Sequence, residues 1–457
     1  VWSLHYALLV SSFLLGALLV SQLLLERRAP GSTVAWLLVM ALLPHVGVPL
    51  YLILGVRKIR KIKRVKGGLF RSIPYSRTPE DATHVERLLR AAGAPPRRGG
   101  NHVTVHADGE SSYRALMELI SGARRTLHVT TFILGTDAVG ASILAALERR
   151  AREGVEVRLL LDGLGSFRVF PWKLRAFRQV GGRAAFFLPL LHIPFFGHTN
   201  LRNHRKLAVA DGARAILGGM NLATEYMGPV PDPRRFRDLS VSVDGPAAAD
   251  LEGVFLADWE FASHERLTQG VDAASAEGSG IDSELVASGP DVEGDPLYDA
   301  IVSGVFGASS RIWIATPYFI PDETLAKGLE LAARRGVDVR VLVPRRSNHR
   351  LADLCRGSYL RQVARAGGKI LFYDPGMMHA KAVVIDDAFA LVGSANLDMR
   401  SLLLNFEVGL FLFGPDGTAP IASWFETLER STAPARLKAR RGSGLLDGLG
   451  RLLGPIL

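Results

Sequence analysis

Two histidines and two lysines recur in this chain at one spacing. His204 and Lys206 are followed by Asp211 and then Gly218, Gly219 and Asn221. His379 and Lys381 are followed by Asp386 and then Gly393, Ser394 and Asn396, an offset of 175 residues. A single such pair is a weak signal. Two copies with the asparagine in register describe one site built from two halves. The chemistry they suit is displacement at a phosphodiester. Lys206 and Lys381 offer positive charge to an anionic phosphate, and Asn221, Asn396 and Ser394 offer hydrogen bonds to its non-bridging oxygens. One neutral imidazole can attack phosphorus to give a phosphohistidine. The other, protonated, can supply the departing alkoxide with its proton. The lysines oppose protonation of both rings, so the two histidines should titrate as a coupled unit. The residues are symmetric as to which histidine attacks.

A carboxylate behind each ring would fix its tautomer and orientation. Asp238 and Glu407 hold equivalent places in the repeat and are the expected pair. Asp211 and Asp386 stay in the catalytic candidate set, with a structural role at a strand end as the favoured reading. No cluster of cysteines offers a metal site, and neither metal nor cofactor is expected. Cys355 is the only cysteine and reads as a small core residue.

These side chains need rigid elements to hold them, and the repeat extends well beyond the motif. Leu127–Phe132 with Asp137 matches Ile312–Pro317 with Asp322, Gly154–Leu159 matches Gly336–Val341, and Asp238–Pro246 matches Glu407–Pro415. Patterning predicts strands over Thr126–Leu134 and Val155–Leu161 around a helix over Ser142–Glu153. The second half repeats this with Arg311–Ile320, Glu323–Arg335 and Val337–Val343. Alternating strands and helices indicate an α/β fold of two pseudo-symmetric domains sharing one active site. Leu207–Ala210 and Ala382–Ile385 read as buried strands. Residues two apart on a strand share a face, so each histidine should point into the same cleft as its lysine.

The N-terminal part is of another kind. Val1–Leu25 contains no Asp, Glu, Lys or Arg, and Ser32–Val56 is a second apolar run containing Pro44 and Pro49. About 20 apolar residues cross a bilayer core, so the expectation is a two-helix transmembrane hairpin. Residues 57–66 hold seven basic residues and no acid, leaving +4 of the net charge of +11 to the rest of the chain. Charge this localised is not spread over a nucleic-acid-sized face, and no nucleic-acid partner is expected. A basic block beside a span stays inside, which puts the catalytic part in the cytoplasm; the block should also attract anionic lipids. The expected organisation is a hairpin over 1–56 and a basic juxtamembrane segment and linker over 57–100. Domains over 101–271 and 285–430 then flank a small, polar linker over 272–284, and a basic, amphipathic tail occupies 431–457. Phe167, Val169, Phe170, Trp172 and the run from Phe186 to Phe196 either admit acyl chains or pack in the core.

The doubled motif resembles the phospholipase D superfamily. Within it, Ala35–Leu38, Leu43-Pro44, Asn203–Lys206, Gly218–Asn221, Thr316–Phe319, Asn396–Ser401, Asn405–Glu407 and the terminal Arg451–Leu457 resemble the bacterial cardiolipin synthases. The resemblance covers nearly the whole chain. It implies two phospholipase D-like domains, an inner-membrane location and no metal. It also implies transfer of a phosphatidyl group from one phosphatidylglycerol to another, giving cardiolipin and glycerol, with His204 as nucleophile and His379 as acid and base. Phosphatidylglycerol and anionic membrane lipids are the implied partners. A hydrolytic phospholipase D would use the same residues with water as acceptor. A nuclease of the superfamily is disfavoured by the apolar runs, and an inactive scaffold by two complete motifs.

Overall fold

The fold follows from continuous apolar runs that must be covered on both faces. A computed structural model describes residues 30–51, 83–188, 201–268 and 280–434, together with Val10, Leu19, Val20, Leu23, Lys66 and Leu69. Among the described residues, fifteen strands form one sheet. At its centre Arg98–His106 pairs antiparallel with Ile281–Ser288. Outward from Arg98–His106 come Ser240–Asp244, Arg214–Gly218, Leu207–Ala210, Thr126–Thr131, Glu156–Asp162 and Arg183–Phe187. Outward from Ile281–Ser288 come Glu407–Phe413, Phe389–Gly393, Ala382–Ile385, Arg311–Ala315, Asp338–Pro344 and Lys369–Tyr373, with Thr432–Pro434 added at the edge. The two halves therefore have the same strand order, related by a pseudo-twofold between the central strands.

Alternate side chains of each strand enter different cores. Leu207 and Val209 join Val241, Leu410, Trp259 and Phe425 in a core shared by both halves, under the helices Pro246–Ser263 and Gly414–Glu429. Ala208 and Ala210 face the helices Gly109–Gly122 and Ala138–Arg152. Val383 and Ile385 face Pro296–Gly307 and Glu323–Arg334. The matched aspartates Asp137 and Asp322 both cap helices, accepting from Gly140 N at 2.9 Å and Leu325 N at 3.0 Å. Such caps satisfy amide donors that have no intrahelical partner.

Several expectations change. The expected Arg311–Ile320 strand is split at Pro317. Arg311–Ala315 stays in the main sheet, and Phe319–Ile320 pairs with Leu397–Asp398 in a separate ribbon. The second domain begins earlier than 285, because Ile281–Ser288 is a strand of the sheet. Thr432–Pro434, read as tail, adds a strand against Leu371–Tyr373.

The second apolar run is not one continuous helix. Pro30–Leu42 and Pro44–Leu50 are helices of 13 and 7 residues, broken at Leu43 (φ −132°, ψ 63°). The ring of Pro44 disfavours helical backbone at the residue before it. No helix among the described residues is long and apolar enough to cross a membrane. Leu19 and Leu23 of the first run pack with Trp36, Met40, Val48 and Tyr51 of the second. Most of Val1–Leu25, the basic residues before Lys66, Pro189–Phe196, residues 272–279 and the tail from 435 lie outside the described residues.

Candidate active site

Both His-x-Lys segments enter the sheet at the same point, immediately before Leu207–Ala210 and Ala382–Ile385. Each is stitched to the other half by the backbone. His204 N donates to Phe406 O at 2.9 Å and Phe406 N to Arg202 O at 3.0 Å. Symmetrically, His379 N donates to Arg237 O at 2.7 Å and Arg237 N to Met377 O at 2.8 Å. Phe406 and Arg237 directly precede Glu407 and Asp238. These two bridges therefore bring the carboxylate of each half to the histidine of the other. His204 Nδ1 lies 2.9 and 3.0 Å from the two Glu407 oxygens, and His379 Nδ1 lies 2.7 Å from Asp238 Oδ2. A carboxylate at Nδ1 accepts a hydrogen bond from its N–H, keeps the proton there and leaves Nε2 for chemistry.

The carboxylates are themselves held. Glu407 accepts from Ser394 Oγ at 2.5 Å, and Asp238 accepts from Leu239 N at 2.8 Å. Gly219 occupies the position equivalent to Ser394, and a Cβ there would sit 2.3 Å from Asp238 Oδ1. Gly219 thus makes room for the shorter acid, whereas Ser394 anchors the longer one. This corrects the expectation for Ser394, whose hydroxyl proton goes to Glu407 and not to a phosphate. Asn221 Oδ1 accepts from Ile133 N at 3.1 Å, and Asn396 Nδ2 donates to Ser401 Oγ at 3.1 Å.

Each lysine folds back towards its histidine. Lys206 Nζ donates to His204 O at 2.6 Å. Lys381 Nζ donates to His379 O and lies 2.7 Å from His379 Nδ1. Phe132 packs edge-on to His204 and Tyr226 edge-on to His379, both with centroids 5.1 Å apart. The His204 side chain is 13% exposed and that of His379 6%, so His204 is the more open of the two.

Burial opposes charge throughout this site. Burial, then the Lys381 charge, pushes His379 down to about 3 against the pull of Asp238. Burial also lowers His204, more than Glu407 restores. Burial brings Lys206 down to about 7 and Lys381 to about 8, each only partly offset by Glu407 and Asp238. Asp238 is also buried, but Lys381 and His379 outweigh that and hold it ionised. Both rings are therefore neutral near neutral pH, and the lysines lose their charge as pH rises through about 7 to 8. If those charges hold the substrate phosphate, kcat/KM must fall across that window. Lys206→Arg, which stays charged, should move the falling limb to higher pH in a pH–rate profile.

Asp211 and Asp386, kept as catalytic candidates, stand elsewhere. They lie beyond the far ends of the strands that begin after Lys206 and Lys381, in left-handed backbone with φ of 57° and 49°. Asp211 accepts from the backbone N of Arg124, Arg125 and Thr126 at 2.9, 2.7 and 3.0 Å. Asp386 accepts from Ser309, Ser310 and Arg311 at 2.9, 2.8 and 2.8 Å. Their carboxylates tie a turn to a strand end, out of hydrogen-bond reach of either ring. Asp386→Asn should cost about 1–3 kcal/mol in denaturant melts, while the folded fraction keeps its turnover.

Arg205, between His204 and Lys206, was not singled out from the sequence. The two-residue period turns it to the opposite face, where it is fully buried. It donates to Glu407 O and Ser288 O, both at 3.1 Å, and to Asp258 at 2.7 Å. Asp162 accepts from Asn203 N at 2.9 Å on the other side of His204. The basic residue inside the motif was the available signal for the first.

Comparison with known proteins fits this geometry. The family described as cardiolipin synthase, PLD-like domain matches residues 116–259 and 305–429, and phospholipase D-nuclease N-terminal matches 14–55. Cardiolipin synthase 1 of Bacillus anthracis is 32% identical over 463 residues, covering 95% of this chain and 90% of that protein. The chain belongs to the cardiolipin synthase family of phospholipase D-like proteins. Its relative in Oceanobacillus iheyensis, also named cardiolipin synthase, is 32% identical over 98% of this chain and 100% of that one. The phosphatidylserine synthase of Haemophilus influenzae Rd KW20 shares the fold, with a TM-score of 0.63 over 82% of this family member and all of that chain, at 14% identity.

Proposed function

We propose that this chain is a cardiolipin synthase that transfers a phosphatidyl group between two phosphatidylglycerols through a phosphohistidine on His204. The observation that carries the reading is the crossed pairing of two histidines with two carboxylates, flanked by two lysines. Glu407 holds the His204 Nδ1 proton, and Nε2 attacks phosphorus. The P–O bond to glycerol breaks, and His379 Nε2 delivers its proton to the leaving alkoxide. His379 is neutral in the free protein, and its Nε2 takes up a proton from water once the phosphodiester's negative charge offsets Lys381. A hydroxyl of the second phosphatidylglycerol then gives its proton to His379 and attacks phosphorus, and the P–N bond breaks. Lys206, Lys381, Asn221 and Asn396 stabilise the charge on the non-bridging oxygens. One phosphodiester replaces another, so the step needs no nucleotide.

The membrane reading rests on separate observations. Val34, Leu38, Leu42, Leu43 and Val46 expose apolar side chains on the N-terminal helices, and Phe167, Phe170 and Trp172 are exposed, the last two stacked on each other. Apolar surface of this kind seeks a partner or a membrane. The reading therefore includes an N-terminal hairpin over 1–56 anchored in the inner membrane, a basic segment after it, and the two catalytic halves of the sheet, from Arg98 and from Ile281 onward, on the cytoplasmic side. Incubating the solubilised protein with phosphatidylglycerol and resolving the lipids tests the proposal. Cardiolipin and glycerol in equal amounts are expected. Phosphatidate alone would mean that water is the acceptor, and no lipid turnover would refute the reading.

A further inference from the structure

Lys66 ends the basic run that the sequence assigns to the membrane surface, yet its side chain is 1% exposed. Its Nζ donates to Asp258 and, at 2.5 Å, to Asp291. It also lies 4.8 Å from the centre of the Phe406 ring and 5.5 Å from that of Phe187. Arg205 shares both carboxylates, at 2.7 Å to Asp258 and 3.5 Å to Asp291. Asn203 Nδ2 donates to Asp258 Oδ2 at 2.8 Å. The cluster thus joins four pieces of chain: the N-terminal segment, the first motif, the helix Pro246–Ser263 and the second half. It holds two cations and two carboxylates, so it is neutral as a whole. Asn203 and Arg205 flank His204, and Phe406 precedes Glu407.

We propose that Lys66 is a positioning residue of the active site, completing a buried four-charge cluster that sets the register between His204 and Glu407. The segment after the hydrophobic N-terminus would then be a working part of the catalytic core as well as a tether. The physical reason is charge balance. Without Lys66, Arg205 alone faces two buried carboxylates, and an uncompensated buried charge is unstable. Arg205 can answer only by shifting towards them, away from the Glu407 and Ser288 carbonyls it now holds. The Glu407 carboxylate follows its backbone and leaves the His204 ring. The inference uses the proposed reaction only as a readout of that alignment.

The test uses the full chain and its charge-altered variants. Lys66→Met is expected to lower kcat for total phosphatidyl turnover, whatever the acceptor, by at least about 100-fold with KM nearly unchanged, as for loss of an interaction expressed in the transition state. Lys66→Met combined with Asp291→Asn restores neutrality and is expected to regain at least about tenfold of that loss. Near-normal kcat in Lys66→Met overturns the proposal, and so does a double variant no better than the single one, whether through misfolding or inactivity. Acylation of lysines followed by mass spectrometry provides a readout independent of enzyme activity. Lys66 should be protected in the folded wild-type chain and become reactive in Asp258→Asn/Asp291→Asn. Free reaction of Lys66 in the wild type would overturn the cluster even if the protein turned over no lipid.

Discussion

His204→Ala and His379→Ala should each lower phosphatidyl turnover by about 10⁴-fold or more, because the residues of such a constellation act as a unit. The two losses should differ in kind. Without His204 there is no nitrogen to receive the phosphatidyl group, so neither transfer nor hydrolysis proceeds. Without His379 the attacking nitrogen and its carboxylate remain, but the glycerol alkoxide must leave unprotonated. A substrate with an acidic leaving group, such as a nitrophenyl phosphodiester, needs no such proton. It should therefore release nitrophenol in a single burst from His379→Ala and none from His204→Ala. Near-normal turnover of phosphatidylglycerol by either variant would refute a two-histidine mechanism.

The second large effect comes from the carboxylates, and it crosses between halves. Glu407→Gln keeps size and shape but presents an amide to His204 Nδ1, which lies 2.9 Å from Oε1. An amide can donate to that nitrogen and stabilise the wrong tautomer, with the proton on the nitrogen that should attack. The corresponding change in a Ser-His-Asp triad costs about 10⁴-fold, and a loss of about 10³–10⁴-fold is expected here. Although Glu407 belongs to the second half, its loss should suppress formation of the covalent adduct on the first-half histidine. Asp238→Asn should instead impair the proton transfers of His379, so the nitrophenyl substrate should spare it much of its loss. Stopped-flow bursts separate the two. Equal bursts from Glu407→Gln and the wild type would show that the 2.9 Å contact has no part in activating His204.

Much of this was legible in the sequence because the repeat carries it. The matched Asp137 and Asp322, the strands after each lysine and the two-residue spacing of histidine and lysine all follow from local periodicity. Asp238 and Glu407 could be singled out by their equivalent positions. Their crossing could not, since position within a repeat says nothing about which copy a side chain faces. His204 and Glu407 are 203 residues apart; the bridge between Asn203 and Phe406 brings them together, as that between Arg237 and Met378 does for Asp238 and His379. Lys66 was hidden by its neighbours, because a lysine ending a basic run has no local mark of burial. The two carboxylates that draw it inward stand 192 and 225 residues away. At Ser394, the hydroxyl sits where a phosphate ligand was expected, but the longer Glu407 side chain reaches it first. The helix break at Leu43 was signalled by Pro44, whose restriction on the preceding residue the hydropathy of the run obscured.

The proposed mechanism puts the phosphatidyl group on one histidine of a composite site. It is tested most directly by quenching the protein with phosphatidylglycerol during turnover under alkaline denaturing conditions, where phosphohistidine survives, and mapping the adduct by mass spectrometry. A phosphatidyl group is expected on His204, absent from Glu407→Gln quenched at the same time. An adduct on His379, or none on either histidine while cardiolipin accumulates, would contradict it.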